Sequence, residues 1–260
     1  MIIVHALRDK IWNVLMEKRD NKYMKKRNCI LLTVLCLVLS LTGCTEKTKE
    51  PINKMDFLLN TFVSVTLYDT DKEEILDGAL DVCREYENVL STTIDTSEIY
   101  QMNHRKPGER QFTVSDKTAE VLKKGLEYCE MSGGAFDITI EPLSSLWDFA
   151  GADPAVPEST AIQAALEKVG YKKVLLEGNT VTFADDDTAI DLGAIAKGFI
   201  ADRIKDYLTE QGVKSAIINL GGNVLCIGEK TDGTPFKIGL QKPFADRSET
   251  VAALDINDLS

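Results

Sequence analysis

Between Thr61 and Leu90 the apolar residues change period within one stretch of chain. Over residues 61–68 they alternate, with Val63, Val65 and Leu67 on one face, and this predicts a half-buried strand. Over residues 71–90 they recur at three and four, through Ile75, Leu76, Ala79, Val82, Cys83, Tyr86, Val89 and Leu90, and this predicts an amphipathic helix. A sheet face and a helix stripe each have to bury against another element, so the chain is committed to layers of both kinds. The remaining segments follow the same two periods. A second helix is expected over 115–131, capped by Ser115 and stopped at Ser132-Gly133-Gly134, and a third over 159–169 with Gly170 as its stop. Residues 173–177 and 180–183, joined by Gly178-Asn179, predict a hairpin. A fourth helix follows Asp191, and short strands are expected over 215–220, 223–227, 236–241 and 251–256 between glycine-rich turns. The fold class expected is α+β, with a mixed, largely antiparallel sheet and packed helices.

Charge is distributed unevenly. The whole sequence has 30 Lys and Arg against 41 Asp and Glu, but residues 1–43 hold eight of the bases and only three of the acids. From Cys44 onward 22 bases face 38 acids, a formal charge of −16. Such a body repels phosphate backbones, so a nucleic-acid partner is not expected. The basic excess has its own explanation. Met24 is followed by Lys25-Lys26-Arg27, an apolar run from Ile30 to Leu41, and Leu41-Thr42-Gly43-Cys44. This reads as a secretory signal over 1–43 ending in a lipobox, with Met24 as the expected true start and Cys44 as the lipidation residue. The run is shorter than the roughly 20 apolar residues a membrane-spanning helix needs. Residues 44–54 are expected to be a lipidated tether, polar and Pro-containing, with the folded domain over 55–260. The expected location is the extracytoplasmic face of the cell membrane, held through the lipid anchor.

Cysteine usage adds no disulfide framework. Cys29 and Cys36 fall in the signal, and Cys83, Cys129 and Cys226 form an odd set with no C-x-x-C spacing. With only His5 and His104 in the chain, a Cys/His zinc site is not expected.

Three segments combine glycine with an ionisable or polar residue. Gly133-Gly134-Ala135-Phe136-Asp137 lets the backbone approach a ligand closely, with Asp137 as a hydrogen-bond acceptor; it equally fits a helix C-cap followed by a solvated turn aspartate. Asp191-Leu192-Gly193-Ala194-Ile195-Ala196-Lys197-Gly198 would place free N–H groups and one cation around a phosphate or pyrophosphate. It matches neither the Walker A nor the Rossmann spacing, and a capping aspartate on a closely packed helix explains it as well. Asn219-Leu220-Gly221-Gly222-Asn223 fits a plain hairpin turn.

Taken together and in order, these segments, with Ser97-Glu98-Ile99, Asn103, Trp147 and Ala201-Asp202, resemble the ApbE-type FAD:protein FMN transferases. The resemblance implies a Mg²⁺-dependent enzyme. It would split FAD and attach the FMN half to a threonine of an exported or membrane redox flavoprotein, releasing AMP. Carried over by motif, it implies that Ala135, Phe136 and Asp137 line the FAD site, that Asp191 and Lys197 contact FAD, and that the Ala194 carbonyl is one Mg²⁺ ligand. No catalytic residue follows from it. The sequence departs from the family pattern at Leu59-Asn60-Thr61, where Met-Gly-Thr is common, and at Thr93, where an aromatic often stands. Family members also continue into Ser-Gly-x-Tyr-Glu and His-His-x-x-Asp-Pro segments and a final Asp/Thr pair that supplies further metal ligands. The sequence given reaches Ser260, so the expectation is a transferase domain incomplete at its C-terminus. Two other readings stand beside it: a lipid-anchored FAD-binding protein without transfer activity, and a solute-binding lipoprotein.

Overall fold

Two strands with opposite patterns begin the domain. In the computed structural model, which describes residues 50–147, 155–243 and 249–257, β1 (Ile52–Leu58) pairs antiparallel with β2 (Thr61–Leu67), from Ile52 opposite Leu67 to Leu58 opposite Thr61. β2 shows the expected alternation, with Val63, Val65 and Leu67 fully buried. β1 is inverted: Met55 and Phe57 are 61% and 59% exposed, whereas half-buried Lys54 and Asp56 point the other way. They are neutralised by Asp77 and Arg84 of α1 (Glu73–Leu90). The tether expected over 44–54 is therefore corrected at its end, because Ile52, Asn53 and Lys54 belong to a paired strand. Charged residues on its inward face hide that strand from a periodicity reading. The signal expected over 1–43, Cys44 and residues 45–49 lie outside the described residues.

Leu59 and Asn60 join the two strands, both left-handed with φ 54° and 55°, as a two-residue type I′ connection demands. Asparagine tolerates this region; for leucine it costs about 1–2 kcal/mol.

The chain continues through α2 (Glu98–Asn103), whose cap Ser97 accepts from the Tyr100 amide at 3.0 Å, then β3 (Gln111–Thr113) and α3 (Asp116–Met131), capped by Ser115. Next come α4 (Glu141–Ser144), α5 (Ser159–Leu166), β4 (Val174–Glu177), β5 (Thr180–Phe183) and α6 (Gly193–Glu210). The described chain closes with β6 (Ala216–Leu220), β7 (Asn223–Ile227), β8 (Phe236–Gln241) and β9 (Thr250–Ile256). Helix α5 is shorter than expected, since Lys168 and Val169 bond back as turns onto Ala165 and Leu166.

Three sheets result, with orders β1-β2-β6-β7, β3-β5-β4 and β8-β9. Every described strand pairing is antiparallel. The fold is α+β, as the sequence predicts. Helices α1 and α6 pack together where Gly78 leaves room for the ring of Tyr207, and both cover the inner face of the four-stranded sheet. Cys83, Cys129 and Cys226 are free and buried, and burial pushes the Cys83 thiol up to about 12.

The turn after β5 carries three consecutive acids, and each meets its own cation: Asp185 meets Lys173, Asp186 meets Arg110 and Asp187 meets Lys168. Partial burial disfavours the Asp185 charge. The Thr188 hydroxyl and amide and the Lys173 ammonium outweigh it, and hold the carboxyl down at about 2. A depressed carboxyl stabilises the fold above its ordinary value of 3.8 and loses that contribution as pH falls toward 2. Thermal denaturation over this acid range is expected to show a loss of stability that flattens in Asp185→Asn, together with a lower melting temperature for the variant at neutral pH.

Candidate functional site

The site is built where the end of α3 meets the start of α6. At the end of α3, Gly133 and Gly134 turn left-handed, and the Gly134 amide closes on the Cys129 carbonyl at 2.8 Å. The Ser132 hydroxyl accepts from the Phe136 amide at 3.0 Å and fixes the reversed chain. Phe136 thereby meets Tyr128 edge-on, with ring centroids 6.3 Å apart. Its neighbour turns the other way. Asp137 accepts from the Thr139 amide (2.8 Å) and hydroxyl (2.6 Å) and from the Tyr171 amide (2.8 Å), so its carboxylate is occupied within the chain. Buried Thr139 in turn accepts from the Gly170 amide at 2.7 Å.

The start of α6 is held from two sides. The Asn103 carboxamide donates to the Ile190 carbonyl (2.8 Å) and accepts from the Ile190 amide (2.7 Å), satisfying both backbone groups of one residue. One residue on, the Asp191 amide donates to the Ile138 carbonyl at 2.8 Å. The Asp191 carboxylate accepts from the Gly193 amide (2.7 Å) and the Ser144 hydroxyl (3.1 Å). Nearby Glu141 has its carboxyl raised, first by burial and then by the Asp191 charge, with His104 opposing.

An open cleft of about 1010 Å³ lies between these elements. Its walls include Phe136, Tyr128, Met131 and Lys124 from the α3 side, Gly193, Ala194, Lys197, Gly198 and Asp202 from α6, and Asn223 and Leu225 from β7. Gly198 has no atom within 4 Å of where a Cβ would stand, so nothing fills that part of the helix face. A smaller pocket of about 120 Å³ is lined by Leu59, Asn60, Glu87, Thr92, Asp191 and Lys197, among others. Gly193 and Lys197 border both spaces. Lys197 is half-buried, and no described carboxylate lies within salt-bridge reach of its ammonium. At the start of α6 the Gly193 amide is taken by the Asp191 carboxylate and the Ile195 and Ala196 amides by the Leu192 carbonyl, so what the helix start adds beside that ammonium is its dipole.

Of the residues singled out from sequence, Phe136, Ala194 and Lys197 line the large cleft and Asp191 lines the small pocket. Ala135 and Asp137 line neither, and the half-buried Asp137 carboxylate accepts from Thr139 and Tyr171. Tyr128, Met131, Glu87 and the Leu59-Asn60 turn were missed. For Tyr128 and Met131 a signal existed: they are large apolar residues, 48% and 79% exposed, on the polar side of an amphipathic helix. A hard divalent cation needs about six oxygen ligands. Among the described residues no three His, Cys, Asp or Glu side chains come together, and the Ala194 carbonyl alone does not make a Mg²⁺ site.

The fold and the site define an α+β domain whose cleft brings the Lys197 ammonium, which has no described acidic partner, to a helix start, an arrangement suited to an anionic ligand. The chain belongs to the ApbE family, whose profile matches residues 59–260. It is 35% identical over 205 residues to a FAD:protein FMN transferase of Klebsiella pneumoniae, covering 78% of this chain and 62% of that protein. To the Vibrio cholerae FAD:protein FMN transferase it is 28% identical, over 87% of this chain and 69% of that protein. The chain thus spans about two thirds of the length of these relatives. Among solved structures, the Vibrio cholerae flavin transferase ApbE matches with a TM-score of 0.71 at 27% identity, over 80% of this chain and 69% of the other. The ApbE protein of Thermotoga maritima matches with a TM-score of 0.71 at 28% identity, covering 80% and 68%.

Asn103→Ala removes both partners of Ile190 at once and leaves two backbone groups to find others. It is expected to cost about 1–3 kcal/mol of stability, measured by urea denaturation, while the smaller Asn103→Asp change restores only the acceptor half.

Proposed function

We propose that the chain is the flavin-binding and transfer part of an FAD:protein FMN transferase. On this reading the threonine hydroxyl oxygen of an exported or membrane redox protein forms a bond to the FMN-side phosphorus of FAD. The bridging P–O bond breaks, AMP leaves and the hydroxyl gives up its proton. Such a reaction depends on positioning and on charge neutralisation at the pyrophosphate. The observation that carries the reading is Lys197, a half-buried cation without a described acidic partner, placed beside the α6 start in a chain otherwise rich in acids. The Phe136 and Tyr128 rings on the same cleft offer edges and faces to a flat heterocycle. Mg²⁺ belongs to the reading through the family, with the Ala194 carbonyl as one ligand. The described residues do not complete that site, so no step is assigned to the ion.

A second reading is a lipid-anchored FAD-binding protein without transfer activity. Attachment through Cys44 to the extracytoplasmic face of the membrane is part of both readings and rests on the lipobox.

Intact-mass spectrometry of a threonine acceptor protein incubated with the full chain, FAD and Mg²⁺ is expected to show an FMN-sized gain. FAD binding without that gain supports the second reading, and no FAD binding overturns both. Lys197→Ala is expected to weaken FAD binding about tenfold, roughly 1.4 kcal/mol, with the melting temperature unchanged.

A further inference from the structure

Glu87 stands where a helix least favours a carboxylate. It lies in the last turn of α1, which has no basic residue, beside the carbonyl-rich negative end of the helix dipole. Its Oε1 accepts from the Leu59 amide at 2.7 Å. Leu59 is itself locally unfavourable, a branched side chain in left-handed backbone at the first position of a two-residue turn. Two residues that each disfavour their own place therefore meet in one hydrogen bond, and both line the small pocket with Asp191 and Lys197. The turn is also backed by the β6–β7 connection, where the Gly221 amide donates to the Phe62 carbonyl at 3.1 Å. A side chain at Gly221 would press on Thr61, with its Cβ 2.5 Å away. The β6–β7 turn sets where the hairpin tip sits; the Glu87 bond sets how its backbone is turned.

We propose that Glu87 is a positioning residue for the flavin dinucleotide. By accepting the Leu59 amide it holds the Leu59-Asn60 turn in its left-handed form, so that the turn walls the small pocket next to Lys197. This rests on the reading of the cleft as a flavin site and deepens it. The role is one of hydrogen-bond acceptance and not of charge. A carboxylate beside Lys197 and Asp191 does nothing by its charge to attract an anionic ligand, whereas a carboxamide oxygen still accepts from the amide, if more weakly.

The test uses the full chain as wild type, Glu87→Ala, Glu87→Gln, Leu59→Gly and the Glu87→Ala/Leu59→Gly double variant, each checked for a cooperative melt. Without ligand, hydrogen exchange at the Leu59 amide is expected to quicken about tenfold or more in Glu87→Ala and to return toward wild type in Glu87→Gln. With FAD as the probe, Glu87→Ala is expected to weaken binding about tenfold, roughly 1.4 kcal/mol. Glu87→Gln is expected to rescue most of that loss. In the Leu59→Gly background the Glu87→Ala loss is expected to shrink, because glycine adopts the turn unaided.

Unchanged exchange in Glu87→Ala overturns the proposal, since the turn is then held by something else. Faster exchange with undiminished FAD binding also overturns it and leaves the flavin reading intact. Equal loss in Glu87→Ala and Glu87→Gln assigns the role to charge and refutes positioning. If the wild-type chain binds no FAD, the flavin reading fails and this proposal falls with it, while the exchange result shows separately whether Glu87 holds the turn.

Discussion

The site depends on a missing side chain. Gly125 lies in the middle of α3, where glycine costs about 1 kcal/mol relative to alanine. A Cβ there would stand 2.7 Å from Cγ2 of Ile138. Its absence lets the 137–139 segment lie directly on the helix, with Ile138 fully buried. Three connections hang from that contact. The Ile138 carbonyl takes the Asp191 amide, the Asp137 carboxylate takes the Tyr171 amide, and Thr139 takes the Gly170 amide. Phe136, one residue upstream, is thrown to the cleft side, and the start of α6 is fixed opposite the end of α3. The large cleft is the space left between two elements joined at this one close approach.

The electrostatics of the domain work on two scales. From Cys44 onward the chain carries a formal charge of −16, which repels an anion at long range. In physiological salt that repulsion is screened over about 8 Å. Inside the cleft the nearest groups decide, and there Lys124, Lys197 and Arg203 stand in the walls with one acid, Asp202. Many acids elsewhere in the domain are matched by bases, whereas Asp202, Glu87 and Asp191, which border the two spaces, have no described ion pair. Asp56, Asp77 and Asp81 lie on Lys54 or Arg84, Glu127 on Lys124, and the run Asp185–Asp187 on three separate bases. Lys197 differs from these bases in having no described acidic partner.

Much of this was legible from period and punctuation. Helices α1, α3 and α6 follow stripes that bury, β2 follows an alternation that buries, and Ser115 and Gly134 mark the two ends of α3 as capping chemistry predicts. What escaped did so for physical reasons. Strand β1 turns its charged residues inward because α1 brings Asp77 and Arg84 to meet them, and no local pattern reveals partners 23 and 28 residues away in sequence. Helix α2 has only six residues and rests on Ser97 and on burial of Ile99 and Met102. At the site, the glycine-flanked motifs offered Asp137, Asp191 and Lys197, and the family resemblance added Ala135, Phe136 and Ala194. They could not separate Asp137, whose carboxylate is consumed by Thr139 and Tyr171, from a ligand-facing acid. Glu87 escaped, and Asn103 was noticed without its role, because each acts on backbone groups far away in sequence.

One ammonium borders two spaces of very different size. Two separate anions, one in each, would compete for the same counter-charge, and seating the first would weaken the hold on the second. A single ligand long enough to reach from one space into the other meets no such penalty, because its own covalent bonds hold its charges in place around Lys197. The shared lysine thus makes the cleft a gauge of connectivity, favouring a joined polyanion over the same groups supplied as fragments.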